Sequence, residues 1–176
     1  MKAITLMQPW ASLIMIGAKR YETRSWMTHY RGPLAIHASL RFTLAHRSLC
    51  RTEPFATALL GNDDLPLGCV IAVCDLAAVF PTSSDDDSLF SGLLGDEWPE
   101  SELAFGDFSP GRFAWHLKNI RALENPIPAR GALGLWDWDD TALGLLDCTT
   151  NEKQKHTHPI PSGRRALNQG RSFSLR

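Results

Sequence analysis

The stretch Gly17-Ala18-Lys19-Arg20-Tyr21-Glu22-Thr23-Arg24-Ser25-Trp26 follows directly on an apolar run and crowds cations, a carboxylate and two aromatic rings together. Lys19 can serve as a point charge for phosphate, or as a general base once burial depresses its pKa. Its plain alternative is a surface lysine just past a helix C-terminus, where the dipole favours cations anyway. Glu22 can accept a proton or polarise a ligand, and it can equally be no more than a structural partner of Arg20 or Arg24. The two roles are compatible, because a paired Glu22 would hold the Arg24 fork still for a phosphate or a base edge. Trp26 ends the charged row and offers a face to an unpaired base, a contact worth ~1–3 kcal/mol in single-strand binders. Trp10 has the same ring but lies on an apolar helix face, which favours a core role.

Other residues of interest lie further along. His37 and Ser39 share one face of a strand-like segment, but a Ser–His nucleophilic pair needs hydrogen-bond reach that two-residue strand spacing makes awkward. Arg112 and Lys118 can extend a cationic track. His156 and His158 are too isolated to form a metal site. No Gly-rich loop leads into Lys-Ser or Lys-Thr, so a nucleoside-triphosphate cradle is excluded, and no cofactor or metal is expected.

The elements that must position these residues follow from periodicity. Lys2 to Met7 reads as a strand. Pro9 suits a helix start, Trp10, Leu13, Ile14 and Gly17 fall at helical spacing, and Gly17 supplies a left-handed stop. From Arg20 the period becomes two, so Arg20, Glu22, Arg24 and Trp26 share one face and Tyr21, Thr23 and Ser25 the other. Gly32-Pro33 signals a turn. Leu34 to Ser39 is then a strand with Leu34, Ile36 and Ala38 inward and His37 and Ser39 opposite. Residues 40–51 read as a helix packing through Leu40, Leu44, Ala45 and Leu49, followed by a short second one from Thr52-Glu53-Pro54 to Gly61. Leu67 to Phe80 is apolar on both faces and predicts a central strand, with Asp75 its only charge. Residues 81–110 form a long insertion, a flap or a disordered loop. Phe113 to Leu123 is strand-like, with Phe113, Trp115 and Leu117 on one face and His116 and Lys118 on the other. Asn125 to Arg130 is a stiff connector, and residues 131–138 make a last strand. Several short strands with a few short helices describe a small α+β domain or mixed barrel.

Composition bounds the rest. A chain of 176 residues with 44% hydrophobic and 21% charged content is an ordinary globular domain with a sizeable core. Net charge is −1, so no global basic field announces nucleic acid. The charges are segregated, however: Asp85 to Glu102 holds acids without Lys or Arg, and Lys153 onward holds bases without acids. Residues 1–148 read as one domain and 149–176 as a polar, basic tail of low intrinsic order. Cys50, Cys69, Cys74 and Cys148 show no CxxC spacing and read as buried thiols of a reducing compartment. Neither a signal peptide nor a stretch able to span a bilayer is visible, so a cytoplasmic location without membrane contact is expected.

QPWASLI, then GAKRYETRSW, then YRGPLAIHAS resembles the ASCH domain, the family named after the activating signal cointegrator. The resemblance runs on through LGCVIAVCDL and, more weakly, FAWHLKNIRAL and the segment from Pro128 to Trp136, and so covers roughly residues 1–138. It implies a PUA-like small β-barrel with short flanking helices and a cleft lined by the Gly-x-Lys-x-x-Glu-x-Arg segment. It further implies nucleic-acid binding, usually of RNA. Some bacterial relatives are ribonucleases, and one branch removes acyl groups from N4-acylated cytidine. In that branch the lysine is catalytic and a threonine stands where this chain has Glu22. A further acid of that branch would fall within residues 81–105, with no match assignable from sequence.

The expected function is therefore binding of single-stranded RNA in a cleft beside Lys19, Glu22, Arg24 and Trp26, with His37, Ser39, Arg112 and Lys118 as further contacts. The alternative is a metal-independent ribonuclease, or an amidohydrolase acting on an N4-acylated cytidine nucleoside. Lys19 and Glu22 would then be catalytic and Arg24 would steady developing charge. Thr23 is expected to face away from Lys19.

Overall fold

The computed structural model describes residues 1–82 and 100–143. The chain divides into two compact units, Met1–Asp140 and Thr141–Arg176, and the sheet with its helices belongs to the first. Cys148, His156, His158 and the expected tail lie outside the described residues, as do residues 83–99 of the expected insertion.

In chain order the elements are β1 (Lys2–Leu6), α1 (Trp10–Met15), β2 (Tyr21–Arg24), β3 (Gly32–Ala38), α2 (Leu44–Leu49), α3 (Phe55–Ala58), β4 (Cys69–Pro81), α4 (Glu100–Ala104), β5 (Phe113–Pro128) and β6 (Leu135–Asp137). All strands join one six-stranded sheet of order β2-β5-β4-β3-β1-β6. Among the described residues only β1 and β3 run parallel; the remaining pairs are antiparallel. The apolar run from Cys69 to Cys74 is buried along its length and sits in the middle of the sheet, as its two-sided hydrophobicity requires.

The sheet is curled into half a barrel. Four strand spacings separate β2 from β1, about 19 Å if the sheet were flat. Yet Arg24 at the end of β2 donates from Nη2 to the Thr5 carbonyl of β1 at 3.2 Å. A side chain bridges that gap only if the sheet bends round on itself. Ile4, Leu34, Ile36, Ile71, Leu76, Trp115 and Leu117 fill the concave side, and α1 packs Ala11 and Ile14 onto them. A second, smaller cluster lies on the other flank of α1, where Leu13 meets Cys50, Phe55, Leu59, Leu65 and Phe105.

Several expectations change. β4 matches the long strand expected from Leu67 to Phe80, but β5 runs on past Leu123 to Pro128, and the pairing of the two is bulged, with register shifts along it. Asn125 to Pro128 is the end of β5 and not a connector. β2 pairs only with Phe113 to His116, so one side of the later part of β5 is an edge, where a proline removes no needed donor. Leu40 and Leu44 are largely exposed, and of the expected packing residues Leu49 reaches the second cluster, together with Phe42 and Cys50 on either side of the helix. Helix α2 is instead fixed at its start by Thr43, whose Oγ1 accepts from the His46 amide. Within the expected insertion, Glu100–Ala104 forms α4 with Glu102 buried. Cys50, Cys69 and Cys74 are buried free thiols, as expected.

Candidate functional site

The turn after α1 decides where Lys19 points. Gly17 has φ +77°, a left-handed value that ends the helix at little cost, and its N–H bonds to the Ile14 carbonyl at 2.8 Å. The Lys19 amide then reaches back to the Leu13 carbonyl at 3.0 Å. The chain has doubled under the helix, and the Lys19 side chain goes inward. It is 0% exposed, so neither the surface-lysine reading nor an open phosphate contact describes it.

Inside, Nζ donates to the Tyr21 carbonyl at 2.5 Å and stands 3.8 Å from Glu22 Oε2. Glu22 Oε1 lies 3.2 Å from Arg24 Nε, so the carboxylate is shared between two cations and Arg24 is in turn anchored on Thr5. Burial lowers the Lys19 pKa from its ordinary value, with the charges of Glu22 and Glu102 opposing the shift. Glu102 comes from α4 and latches the segment: Oε1 accepts from the Arg20 amide at 2.6 Å and Oε2 from the Tyr21 amide at 3.2 Å. Burial raises its pKa, and those two hydrogen bonds work against the rise.

This cation–carboxylate floor opens on a cavity of about 460 Å³ walled by Trp10, Leu49, Phe55 and Phe105, with Thr23, Ala104, Gly106 and Asp107 completing the lining. The walls are rigid aromatics in edge contact: Trp10 meets Phe55 at 6.3 Å, and Phe55 meets Phe105 at 5.1 Å. Glycine at 106 lets the backbone close over the ammonium, since a Cβ there would stand 3.2 Å from Lys19 Nζ and only 2.6 Å from a ring carbon of Phe108. At the rim, Thr23 Oγ1 accepts from the Asp107 amide, while Asp107 pairs with Arg112 at 3.3 Å. The expectation that Thr23 faces away from Lys19 is corrected: both line this cavity, because β2 is an edge strand and the 105–107 backbone closes beside it.

The model of the ASCH domain family matches residues 4–127. The chain belongs to the ASCH domain family. Activating signal cointegrator 1 from Homo sapiens and from Mus musculus are each 28% identical to it over 141 residues, 77% of this chain and 22% of the relative. The chain thus spans about a fifth of the length of those curated relatives. The crystal structure of the ASCH protein from Zymomonas mobilis superposes with a TM-score of 0.47 at 18% identity, covering 83% of this chain and 93% of that one. A point variant of the same protein gives 0.45 at 17% identity, over 83% and 96%.

In this ASCH chain the signature residues Lys19, Glu22 and Arg24 are brought together, and Arg112 joins them through its guanidinium contacts to Asp107 and the Thr23 carbonyl. Trp26 does not line the cavity; it packs edge-on against Trp115 at 4.7 Å, and the ring that does line it is Trp10. His37 is enclosed elsewhere, with Nε2 on the Ala129 carbonyl at 3.0 Å and its ring edge-on to Trp136. Ser39 holds its own loop by accepting from the Arg41 amide. Lys118 lies in a separate hollow with Arg20 and His116. Sequence reasoning missed Phe55 and Phe105, which no period ties to Lys19, and Glu102, which is one of several acids in residues 85–102 that nothing in the sequence tells apart. The one available signal was Phe105-Gly106-Asp107, an aromatic–glycine–acid step closing the acidic run. Among the described residues no group of three His, Cys, Asp or Glu side chains is placed to hold a metal ion, and no helix is long and apolar enough to cross a membrane.

Proposed function

We propose that this ASCH domain binds single-stranded nucleic acid, RNA in the first instance, by taking one unpaired base into the Lys19 cavity. The observation that carries the reading is a buried Lys19–Glu22 floor beneath aromatic walls, in a cavity sized for one nucleobase or nucleoside. Small-ligand sites are typically of about 300–1,000 Å³, apolar with a few fixed polar groups, which is this arrangement. Trp10 and Phe105 supply the faces for stacking. Glu22 accepts from a base edge, and the buried Lys19 paired with it sets the charge and orientation of that carboxylate, with Arg24 and the Glu102 latch holding both. Phosphate contacts then fall to exposed cations, so affinity declines with salt, and an affinity indifferent to salt would contradict the reading. We read the half-barrel as PUA-like, with residues 1–148 as the binding domain and 149–176 as a basic extension of its track.

A second reading has its own support: burial of Lys19 leaves more neutral amine near neutral pH than a free lysine has. Neutral Nζ would take a proton from a water, the hydroxide would add to the acyl carbon of an N4-acylated cytidine, and collapse would release cytidine and a carboxylate. Cleavage of RNA by the same base is the third outcome to be read.

The test is to incubate labelled single-stranded RNA with the protein and with Lys19→Met, in chelator, reading mobility and fragment length together. RNA shifted intact by the wild type and released by the variant supports base binding. Fragments that vanish in the variant overturn it in favour of a metal-independent ribonuclease. Absence of both, with cytidine released from an N4-acylated nucleoside, overturns it in favour of the amidohydrolase.

A further inference from the structure

Lys19 and Arg20 are neighbours in sequence and open onto different hollows. Lys19 lines the cavity already described; Arg20 lines a second depression of about 370 Å³ together with Gly17, His116 and Lys118. The depression is built by the β2–β5 edge. Tyr21 and His116 are register partners, the Leu117 amide donates to the Arg20 carbonyl at 2.8 Å, and the His116 ring stacks on Tyr21 at 4.6 Å with only 16° between planes. His116 and Lys118, two apart on β5, project to the same side, toward Arg20.

The charge of this place is one-sided. Arg20 and Lys118 are exposed, and neither has a carboxylate partner among the described residues. The nearest acids are turned to other work. Glu102 accepts from the backbone amides of Arg20 and Tyr21, and Asp75 is held by Asn119 Nδ2 at 2.7 Å. Lys118 and Arg20 act on His116 as like charges, adding to the effect of burial in holding its pKa down. Three groups able to carry positive charge therefore converge. The acids beside them among the described residues are Glu102, which acts on Arg20 through its field, and Asp75, opposite Lys118 on β4. Neither forms an ion pair with them, so an entering anion finds a net positive hollow.

We propose that the hollow bounded by Arg20, His116 and Lys118 is a phosphate site, which takes the backbone phosphate adjoining the base bound in the Lys19 cavity. The phosphate assignment stands on this hollow alone; its place on an RNA strand rests on the function proposed above. The two hollows flank the same segment, Gly17 and Arg20 lining one and Lys19 and Glu22 the other. A strand crossing that segment sets a base on one side and a phosphate on the other. Arg20 and Lys118 supply charge, and His116 adds a ring N–H donor on a wall fixed by stacking.

The test uses the full chain and Arg20→Gln/Lys118→Gln, whose side chains are exposed and leave the Glu102 latch on the Arg20 amide intact. Pyrophosphate is titrated first, following the His116 ring resonances by NMR. The expected result is a saturable shift in the wild type that is lost in the double variant. No shift in the wild type, or an equal shift in both, overturns the phosphate site. A labelled single-stranded hexaribonucleotide is then bound across a salt series. One lost phosphate contact takes about 0.7 off the slope of log affinity against log salt. If pyrophosphate shifts His116 but no RNA binds the wild type, the site stands as one for free phosphate or a nucleotide, and the RNA reading falls. If RNA binds with the slope unchanged in the double variant, the placement on the strand is overturned.

Discussion

Replacing Glu22 by Gln removes the carboxylate standing between two cations while keeping nearly the same volume. In the folded protein that carboxylate lies 3.8 Å from Lys19 Nζ and 3.2 Å from Arg24 Nε. At an effective dielectric of about 20, one such pair carries roughly 4 kcal/mol before desolvation is counted. Stripping one partner from a buried pair costs about 3–5 kcal/mol, because the other charge stays behind unsolvated. Lys19 retains the Tyr21 carbonyl and the field of Glu102, so the low end applies, about 3 kcal/mol near pH 7. The cost must also depend on pH. The folded pKa of Lys19 already lies below 10.5, and losing Glu22 lowers it further. Between that folded value and 10.5 the unfolded chain holds a proton the folded one lacks, so stability rises with pH across the window. The window reaches to lower pH in the variant, and its deficit against the wild type shrinks as pH rises toward about 10, leaving the share owed to Arg24. Urea unfolding followed by tryptophan fluorescence, near pH 7 and near pH 10, measures this. A deficit of the same size at both, or one below about 1 kcal/mol near pH 7, would refute the assignment of Glu22 as the counter-ion of Lys19.

Three further outcomes follow from the same structure. Gly131→Ala sets a Cβ 2.5 Å from His37 Cε1 and 2.7 Å from Thr5 Oγ1, an overpacking cost of about 1–3 kcal/mol, seen as a lower unfolding midpoint. His37 is buried with its pKa held below 6.5, so its penalty is absent above that pH and grows as pH falls, until the folded form also takes the proton. Urea midpoints between pH 7 and pH 5 should fall for the wild type and fall less for His37→Gln. Glu102→Gln puts an amide NH₂ against one of two backbone donors, so the Arg20 and Tyr21 amides should exchange hydrogen markedly faster than in the wild type, while amides of β4 do not change.

Local rules made part of this structure legible. The doubly apolar run around Val70 to Cys74 announced a central strand, Gly17 announced the end of α1, and the period of two from Arg20 put Glu22 and Arg24 side by side. The signature therefore told which polar residues meet. It could not tell their burial, because the sink for Lys19 is assembled from distant chain: Leu49 and Phe55 from the 42–65 region, and Phe105 to Asp107 from the far end of the expected insertion. Trp10 and Trp26 illustrate the same limit. Each is aromatic beside charge, and only packing places Trp26 against Trp115 and Trp10 on the cavity wall. Lys118 looked like an extension of the Arg112 side. The curl and bulges of β5 put Arg112 at the cavity rim and Lys118 with Arg20, a separation no linear spacing encodes.

The most direct measurement is photo-crosslinking of a single-stranded RNA carrying 4-thiouridine, with the attachment site mapped by mass spectrometry. Attachment is expected within the cavity wall, at Trp10, Phe55 or the Phe105 segment, lost on competition with unlabelled RNA and in Lys19→Met. Attachment confined to surfaces outside that wall, or no specific attachment by a folded wild-type protein, would contradict base binding in the Lys19 cavity.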